Sequence, residues 1–180
     1  LESSVKNADF ESREKMHNAS TMAGMAFANA FLGMSHSMAH KIGGFFHTVH
    51  GRTNAILLPY VIRYNGTRPA KAATWPKYNY YKADVKFQDI AKMLGLPAST
   101  PEEAVDALAK AVLDLGERVG IDMSLKGQGV DKKEYMATVE EIAYLAYEDQ
   151  CSPANPRLAM VEDMEEIMTK AYYGDYSYKK

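Results

Sequence analysis

Apolar residues in this chain recur every three or four positions rather than every two, the spacing of helices that bury one face. From Phe10 to about Ile42 no proline intervenes, Ala19, Ala23, Ala26 and Ala30 share a stripe with Phe27 and Phe31 beside it, and Met16, Met22, Met25, Met34 and Met38 add bulk. This spacing predicts one long, largely buried helix, weakest at Gly33. Its small residues, Ala23, Gly24, Ala26, Ala28, Ala30, Gly33, Ser35, Ser37 and Ala39, leave room for other backbones to approach closely. Gly43-Gly44 is the predicted stop, because glycine accepts the left-handed conformation that satisfies the last carbonyls.

A second apolar helix is expected from Thr53 to Tyr64, with Asn54 a candidate cap, a kink at Pro59 and an end at Asn65-Gly66. Residues 67 to 81, with Pro69, Trp75, Pro76, Tyr78, Tyr80 and Tyr81, read as an ordered aromatic-rich surface connection. Further helices are predicted over about 82–94, 101–119, 131–149 and 161–173, with Gly95, Gly120 and Gly174 at their ends. The start at Pro101 is well signalled: Thr100-Pro101-Glu102-Glu103 combines an N-cap acceptor, a proline at the first helical position and two acids on the positive helix end. No segment alternates with period two. The expected fold is therefore an all-α, multi-helix array, one domain over residues 1–174 followed by a flexible tail at 175–180.

Composition narrows the partners more than the fold. With 47% hydrophobic and 24% charged residues and a net charge of −2, the chain is an ordinary globular sequence with no electrostatic bias toward nucleic acid or membrane. No apolar run is long enough to span a bilayer, and no signal-peptide core opens the chain. A single cysteine, Cys151, rules out an internal disulfide framework and points to the cytoplasm. The opening, from Leu1 to Lys15, reads like the middle of a longer sequence, so a fragment is expected.

Chemistry concentrates in the histidines. All five lie between positions 17 and 50, four of them at His36, His40, His47 and His50. His36 and His40 are one helical turn apart, which makes them an obvious ligand pair, and a turn after Gly43-Gly44 can fold His50 back toward them. The bland alternative is that one or two cap or fill the core while the rest decorate a loop. His17 lies nearly five turns upstream beside Arg13 and Glu14 and reads as a hydrogen-bonding residue. His47 could be ligand, rim or bystander. Asp9, Glu11 and Glu14 are too far up the chain from His36 to complete a metal site. The 149–157 turn, Asp149-Gln150-Cys151-Ser152-Pro153-Ala154-Asn155-Pro156-Arg157, reads first as a plain connection, and Cys151 has no positive sequence neighbour to depress its thiol pKa. Tyr60, Tyr64, Tyr78, Tyr80 and Tyr81 lack the basic stripe of a nucleic-acid surface and read as core or interface aromatics. There is no GxGxxG or phosphate-loop motif.

The segments from Ala26 to Gly43 (Ala-Phe-Ala-Asn-Ala-Phe-Leu-Gly-Met-Ser-His-Ser-Met-Ala-His-Lys-Ile-Gly) and from His50 to Pro59 (His-Gly-Arg-Thr-Asn-Ala-Ile-Leu-Leu-Pro) closely resemble the signature of the iron-containing, group III alcohol dehydrogenases. Residues 147 to 157 look like the version in bifunctional aldehyde/alcohol dehydrogenases of fermenting bacteria. The resemblance implies the C-terminal helical domain of a dehydroquinate-synthase-like, iron alcohol dehydrogenase fold. It also implies that His36 and His50 are metal ligands, for Fe2+ or else Zn2+, that His40 faces substrate and nicotinamide as a catalytic and cofactor-side residue, and that Cys151 lies at the cleft edge near the cofactor. An aspartate and a histidine on an earlier helix would complete the metal site, and an NAD(H)-binding domain would lie earlier still. The implied reaction is NADH-linked reduction of acetaldehyde or a similar short aldehyde, by an enzyme that assembles as a homo-oligomer or filament. The 180 residues alone are expected to be inactive. A non-catalytic helical assembly module is the alternative reading, and a stand-alone metal sensor a third.

Overall fold

The computed structural model describes residues 1–69 and 81–176. In chain order the helices are α1 (Glu2–Lys6), α2 (Phe10–Ala30), α3 (Met34–Phe46), α4 (His50–Gly66), α5 (Ala83–Met93), α6 (Pro101–Arg118), α7 (Lys132–Tyr147) and α8 (Val161–Tyr173), with a short 3-10 turn at Ser152–Ala154. No strand occurs among the described residues. Caps fix most boundaries where the sequence places them: Thr100 accepts from the Glu103 amide, Asp131 from the Glu134 amide, and Gly174 closes α8. Most of the aromatic connection, residues 70–80, lies outside the described residues; Tyr81 at its end donates to the Asn65 carbonyl at 2.5 Å.

Three expectations for the first half need correction. The predicted helix from Phe10 to Ile42 is two helices, separated where Phe31 takes φ 64° and Gly33 becomes the N-cap of α3. The cause lies far away in sequence. Asn155 puts its Oδ1 3.3 Å from the Met34 amide, and a Cβ on Gly33 would stand 2.8 Å from that oxygen, so a glycine lets a remote side chain cap α3. The first of the two helices is not buried either: α2 holds no buried residue, and Phe10, Met22, Met25, Phe27 and Phe31 are exposed. Nor does Gly43-Gly44 end α3, which runs to Phe46, while His47 takes the left-handed cap. Two glycines inside a helix cost about 2 kcal/mol, and the half-buried Phe46, packed beside Tyr135 with ring centroids 5.3 Å apart, offsets part of that.

The next helix starts three residues earlier than expected, at His50, so Asn54 lies inside it rather than at its cap, and Pro59 is accommodated within the helix. Two apolar clusters meet on α4. Met34, Met38, Ile42, Ile56, Leu57, Ile142, Met164 and Met168 belong to the larger one, built from α3, α4, α7 and α8. Tyr135 and Tyr172 stack within it at 4.9 Å, and their hydroxyls donate to the carbonyls of Met168 and Val130. On the other side Ile62 meets Val105, Leu108 and Ala109 of α6, with Phe87 of α5 against them. Of the tail at 175–180, Tyr176 stacks on Tyr60 at 4.5 Å, and residues 177–180 lie outside the described residues.

At the end of α4 the two helices nearly touch. A Cβ on Gly66 would meet the Val105 methyls at 2.4 and 2.7 Å, and a β-branched side chain has no free rotamer with which to retreat. Gly66→Ala is therefore expected to destabilise the chain by roughly 1–3 kcal/mol, read as a lower midpoint in urea unfolding followed by circular dichroism.

Candidate metal centre

The chain folds back on itself between α3 and α4, and this hairpin assembles the histidines. Loop residues 47–49 reverse direction through the left-handed His47. The buried Thr53 hydroxyl lies 2.8 Å from the Thr48 hydroxyl and 3.1 Å from the Val49 carbonyl, which ties the loop to the first turn of α4. Ser35 donates to Asn54 Oδ1 at 3.0 Å, joining the start of α3 to the second turn of α4. His50 is thereby carried alongside α3.

Three imidazoles converge as a result. Ring centroids are 5.4 Å apart for His36 and His50, 5.4 Å for His40 and His50, and 6.1 Å for His36 and His40. Distance sets His36 and His40 apart, and orientation separates the two pairs that share 5.4 Å. An imidazole nitrogen about 2.1 Å from a cation puts its ring centroid about 3.2 Å away, so two rings bound at a tetrahedral angle lie about 5.3 Å apart. His36 and His50, inclined at 53°, match that spacing and can aim at one point. The planes of His40 and His50 are stacked and inclined by only 15°. Lone pairs lying in nearly parallel, offset planes do not meet at a single ion.

The protonation states suit donors. Burial, then the neighbouring imidazoles of His50 and His40, push the His36 pKa down, so its ring stays neutral with a lone pair to offer. The Asn54 amide nitrogen is 3.2 Å from His50 Nε2; because Asn54 Oδ1 already accepts from Ser35, the amide donates and Nε2 carries the lone pair. A cation at this nitrogen would displace that hydrogen bond. The donor set therefore fits a divalent metal of the kind imidazole binds, with two positions supplied by this hairpin.

The remaining histidines stand apart. His17 is exposed on α2, where its carbonyl accepts from Thr21, and His47 is exposed at the α3 end. Asp9 is used as the α2 cap.

On the far side of His40 lies Asp149, at the start of the segment whose sequence resembles a plain helix connection. Asp149 Oδ2 is 3.3 Å from His40 Nδ1 and 2.9 Å from Lys41 Nζ, while Oδ1 accepts from the Cys151 amide at 3.0 Å. The side chain is 8% exposed. Burial works against its charge, but Lys41, the Cys151 amide and His40 outweigh it and hold the carboxyl down to about 2. A sequence signal existed: an acid just past the C-terminal end of a helix opposes the macrodipole and requires a partner. Cys151 is buried, and burial followed by the hydrogen bond and charge of Asp149 push its thiol pKa up, so the sulfur is protonated rather than nucleophilic. His40, Asp149 and Cys151 bring possible ligand atoms within 4.8 Å of one another. With Lys41 and an amide already on the carboxylate, and with the thiol protonated, they form a hydrogen-bonded hub rather than a cation site.

The 151–157 turn is pinned as firmly as a helix. Asn155 and Asn65 exchange amide hydrogen bonds at 2.7 and 3.2 Å, and Arg157 donates to the Tyr64 and Thr67 carbonyls with its guanidinium 4.0 Å over the Tyr64 ring.

The helical array that carries these paired imidazoles has relatives among known proteins. Residues 1–172 match the family described as Fe-containing alcohol dehydrogenase family, C-terminal, and the chain belongs to that family. It is 77% identical over 174 residues to an aldehyde-alcohol dehydrogenase of Streptococcus pneumoniae serotype 2, covering 97% of this chain and 20% of that protein. It is 40% identical over 168 residues to a bifunctional aldehyde-alcohol dehydrogenase of Escherichia coli K12, covering 91% of this chain and 19% of that one. The chain thus spans about a fifth of the length of these relatives. Among solved structures, an alcohol dehydrogenase from Oenococcus oeni superposes with a TM-score of 0.77 at 31% identity, covering 95% of this chain and 40% of that one. An iron-containing alcohol dehydrogenase from Thermococcus thioreducens gives 0.74 at 33% identity over 93% of this chain and 39% of its own. No helix among the described residues is long and apolar enough to cross a membrane.

The Asp149 contacts generate a pH signature. A carboxyl whose folded pKa lies below its unfolded value stabilises the fold above the unfolded value and loses that contribution as pH falls through the folded one. The window here runs from about 4 down to about 2. Within it the parent chain is expected to lose on the order of 2 kcal/mol more than Asp149→Asn, measured by urea unfolding at each pH.

Proposed function

We propose that the chain is the metal-binding, C-terminal helical part of an NAD-linked alcohol dehydrogenase that interconverts a short aldehyde such as acetaldehyde and its alcohol. The observation that carries this reading is the pair His36 and His50, 5.4 Å apart and mutually inclined, in a chain 77% identical to an aldehyde-alcohol dehydrogenase. His36 and His50 would hold one divalent cation, Fe2+ by the family's description, although imidazole also accepts Zn2+. When bound, the cation supplies Lewis acidity toward a carbonyl oxygen, and a nicotinamide supplies the hydride. His40, held back from the cation by its stacking and by Asp149, faces substrate and nicotinamide and relays the proton. Cys151, being buried, contributes to the inner wall behind His40 rather than to an exposed surface. The remaining metal donors and the dinucleotide site belong to protein outside residues 1–180.

The exposed apolar side chains of α2 favour a second, compatible reading in which this helix serves assembly, with the rest of a longer polypeptide or with further copies.

The test is a chimera in which residues 1–174 replace the matching segment of the pneumococcal relative. His36→Ala and His50→Ala are each expected to lower bound metal at least ~10-fold and acetaldehyde reduction at least ~100-fold, with assembly size unchanged by light scattering. Parental metal content and turnover in both variants would reject the dehydrogenase role and leave the assembly reading. The 180 residues alone are expected to show no acetaldehyde-dependent NADH oxidation and to purify nearly metal-free, because two imidazoles without further donors bind divalent ions weakly.

A further inference from the structure

Beside the proton-relay residue His40, the Asp149 carboxylate meets three neighbours at hydrogen-bonding distance. Lys41 and the Cys151 amide anchor the carboxylate from two sides, and His40 Nδ1 stands 3.3 Å from the oxygen that Lys41 holds. A deprotonated carboxylate only accepts, so the hydrogen in that contact resides on His40 Nδ1 and a neutral ring keeps its lone pair on Nε2. The anchoring is rigid. Lys41 follows His40 on α3, and the 151–157 turn is bracketed to α4 through Asn155 and Asn65, so the carboxylate cannot drift from the ring without breaking contacts on two helices.

We propose that Asp149 is the positioning residue of His40: by accepting the Nδ1 hydrogen it fixes the tautomer and plane of the ring, so that Nε2 is the nitrogen that exchanges a proton with the alcohol. This rests on the alcohol dehydrogenase reading above. In the alcohol-to-aldehyde direction the hydroxyl O–H bond would break with its proton passing to Nε2, and the carbinol C–H bond would break with its hydride passing to an oxidised nicotinamide. In the reverse direction Nε2 would return the proton to the product oxygen while the carbonyl carbon receives hydride. Lys41 touches the carboxylate and not the ring, and it shares the anchoring of Asp149 with the Cys151 amide, either of which suffices to hold the carboxylate beside His40.

The experiment uses the same chimera with Asp149→Asn, His40→Ala, both together, and Lys41→Met. Asp149→Asn presents an amide hydrogen where Nδ1 carries one and drives the ring toward the opposite tautomer. It is expected to lower kcat in both directions roughly 10–100-fold, with KM for acetaldehyde and metal content within about twofold of the parent. On the His40→Ala background the same change is expected to cost less than about twofold, because the group it positions is gone. Lys41→Met is expected to keep kcat within about threefold, since the Cys151 amide still holds the carboxylate. If Asp149→Asn folds poorly, Lys41→Met/Asp149→Asn removes the unpaired cation and is expected to show the same kcat loss with a restored melting temperature.

Parental kcat in Asp149→Asn, an undiminished loss on the His40→Ala background, or an equal loss in Lys41→Met would each overturn the positioning role, the last two by showing that Asp149 serves only as a structural tie. Parental turnover in His40→Ala would overturn it as well. These results are distinguishable from failure of the underlying reading, which shows instead as full metal content and turnover in His36→Ala and His50→Ala.

Discussion

The close return of α4 along α3 is the constraint on which the site depends. His36 and His50 are fourteen positions apart, and a continuous helix would separate them by about 21 Å. They come within 5.4 Å because the chain reverses over residues 47–49 and Thr53 locks the reversal. The reversal needs a left-handed residue, and that residue is a histidine rather than a glycine, at a cost of about 1 kcal/mol. The glycines that would make the easier stop lie inside α3 because stopping there would leave Phe46 off the core.

A second layer of control comes from outside the hairpin. Asn155 caps the start of α3, exchanges hydrogen bonds with Asn65 near the end of α4, and fixes the turn that carries Cys151. One side chain thus ties the beginning of one site helix, the end of the other and the segment after α7. Asp149 is delivered to His40 by the same bracket. The Asn155 amide and the Arg157 guanidinium each have named partners, which ties this irregular, half-exposed backbone to α4.

The electrostatics divide the three imidazoles between two tasks. Burial and neighbouring imidazoles disfavour charge on His36, as a ligand requires. His40 instead has the Asp149 carboxylate 3.3 Å from its Nδ1. Two histidines one turn apart on the same helix therefore have different neighbours, the proposed ligand facing other imidazoles and the proposed proton carrier a carboxylate.

Much of this was legible in the primary structure. The period of apolar positions determined an all-helical fold, and local capping chemistry at Thr100, Asp131 and Gly174 placed helix ends, because those signals act within a few residues of one another. The histidine cluster and its surrounding signature marked the candidate site and the family. What tertiary structure alone decided were contacts between residues distant in sequence. Asn155 breaks the first long helix at Gly33 from 121 positions away, Phe46 carries α3 past two glycines, and Asp149 reaches His40 across 109 positions. Spacing made His36 and His40 the natural pair, but ring orientation depends on where α4 and Asp149 come to rest, and periodicity along one helix carries no information about what packs against it.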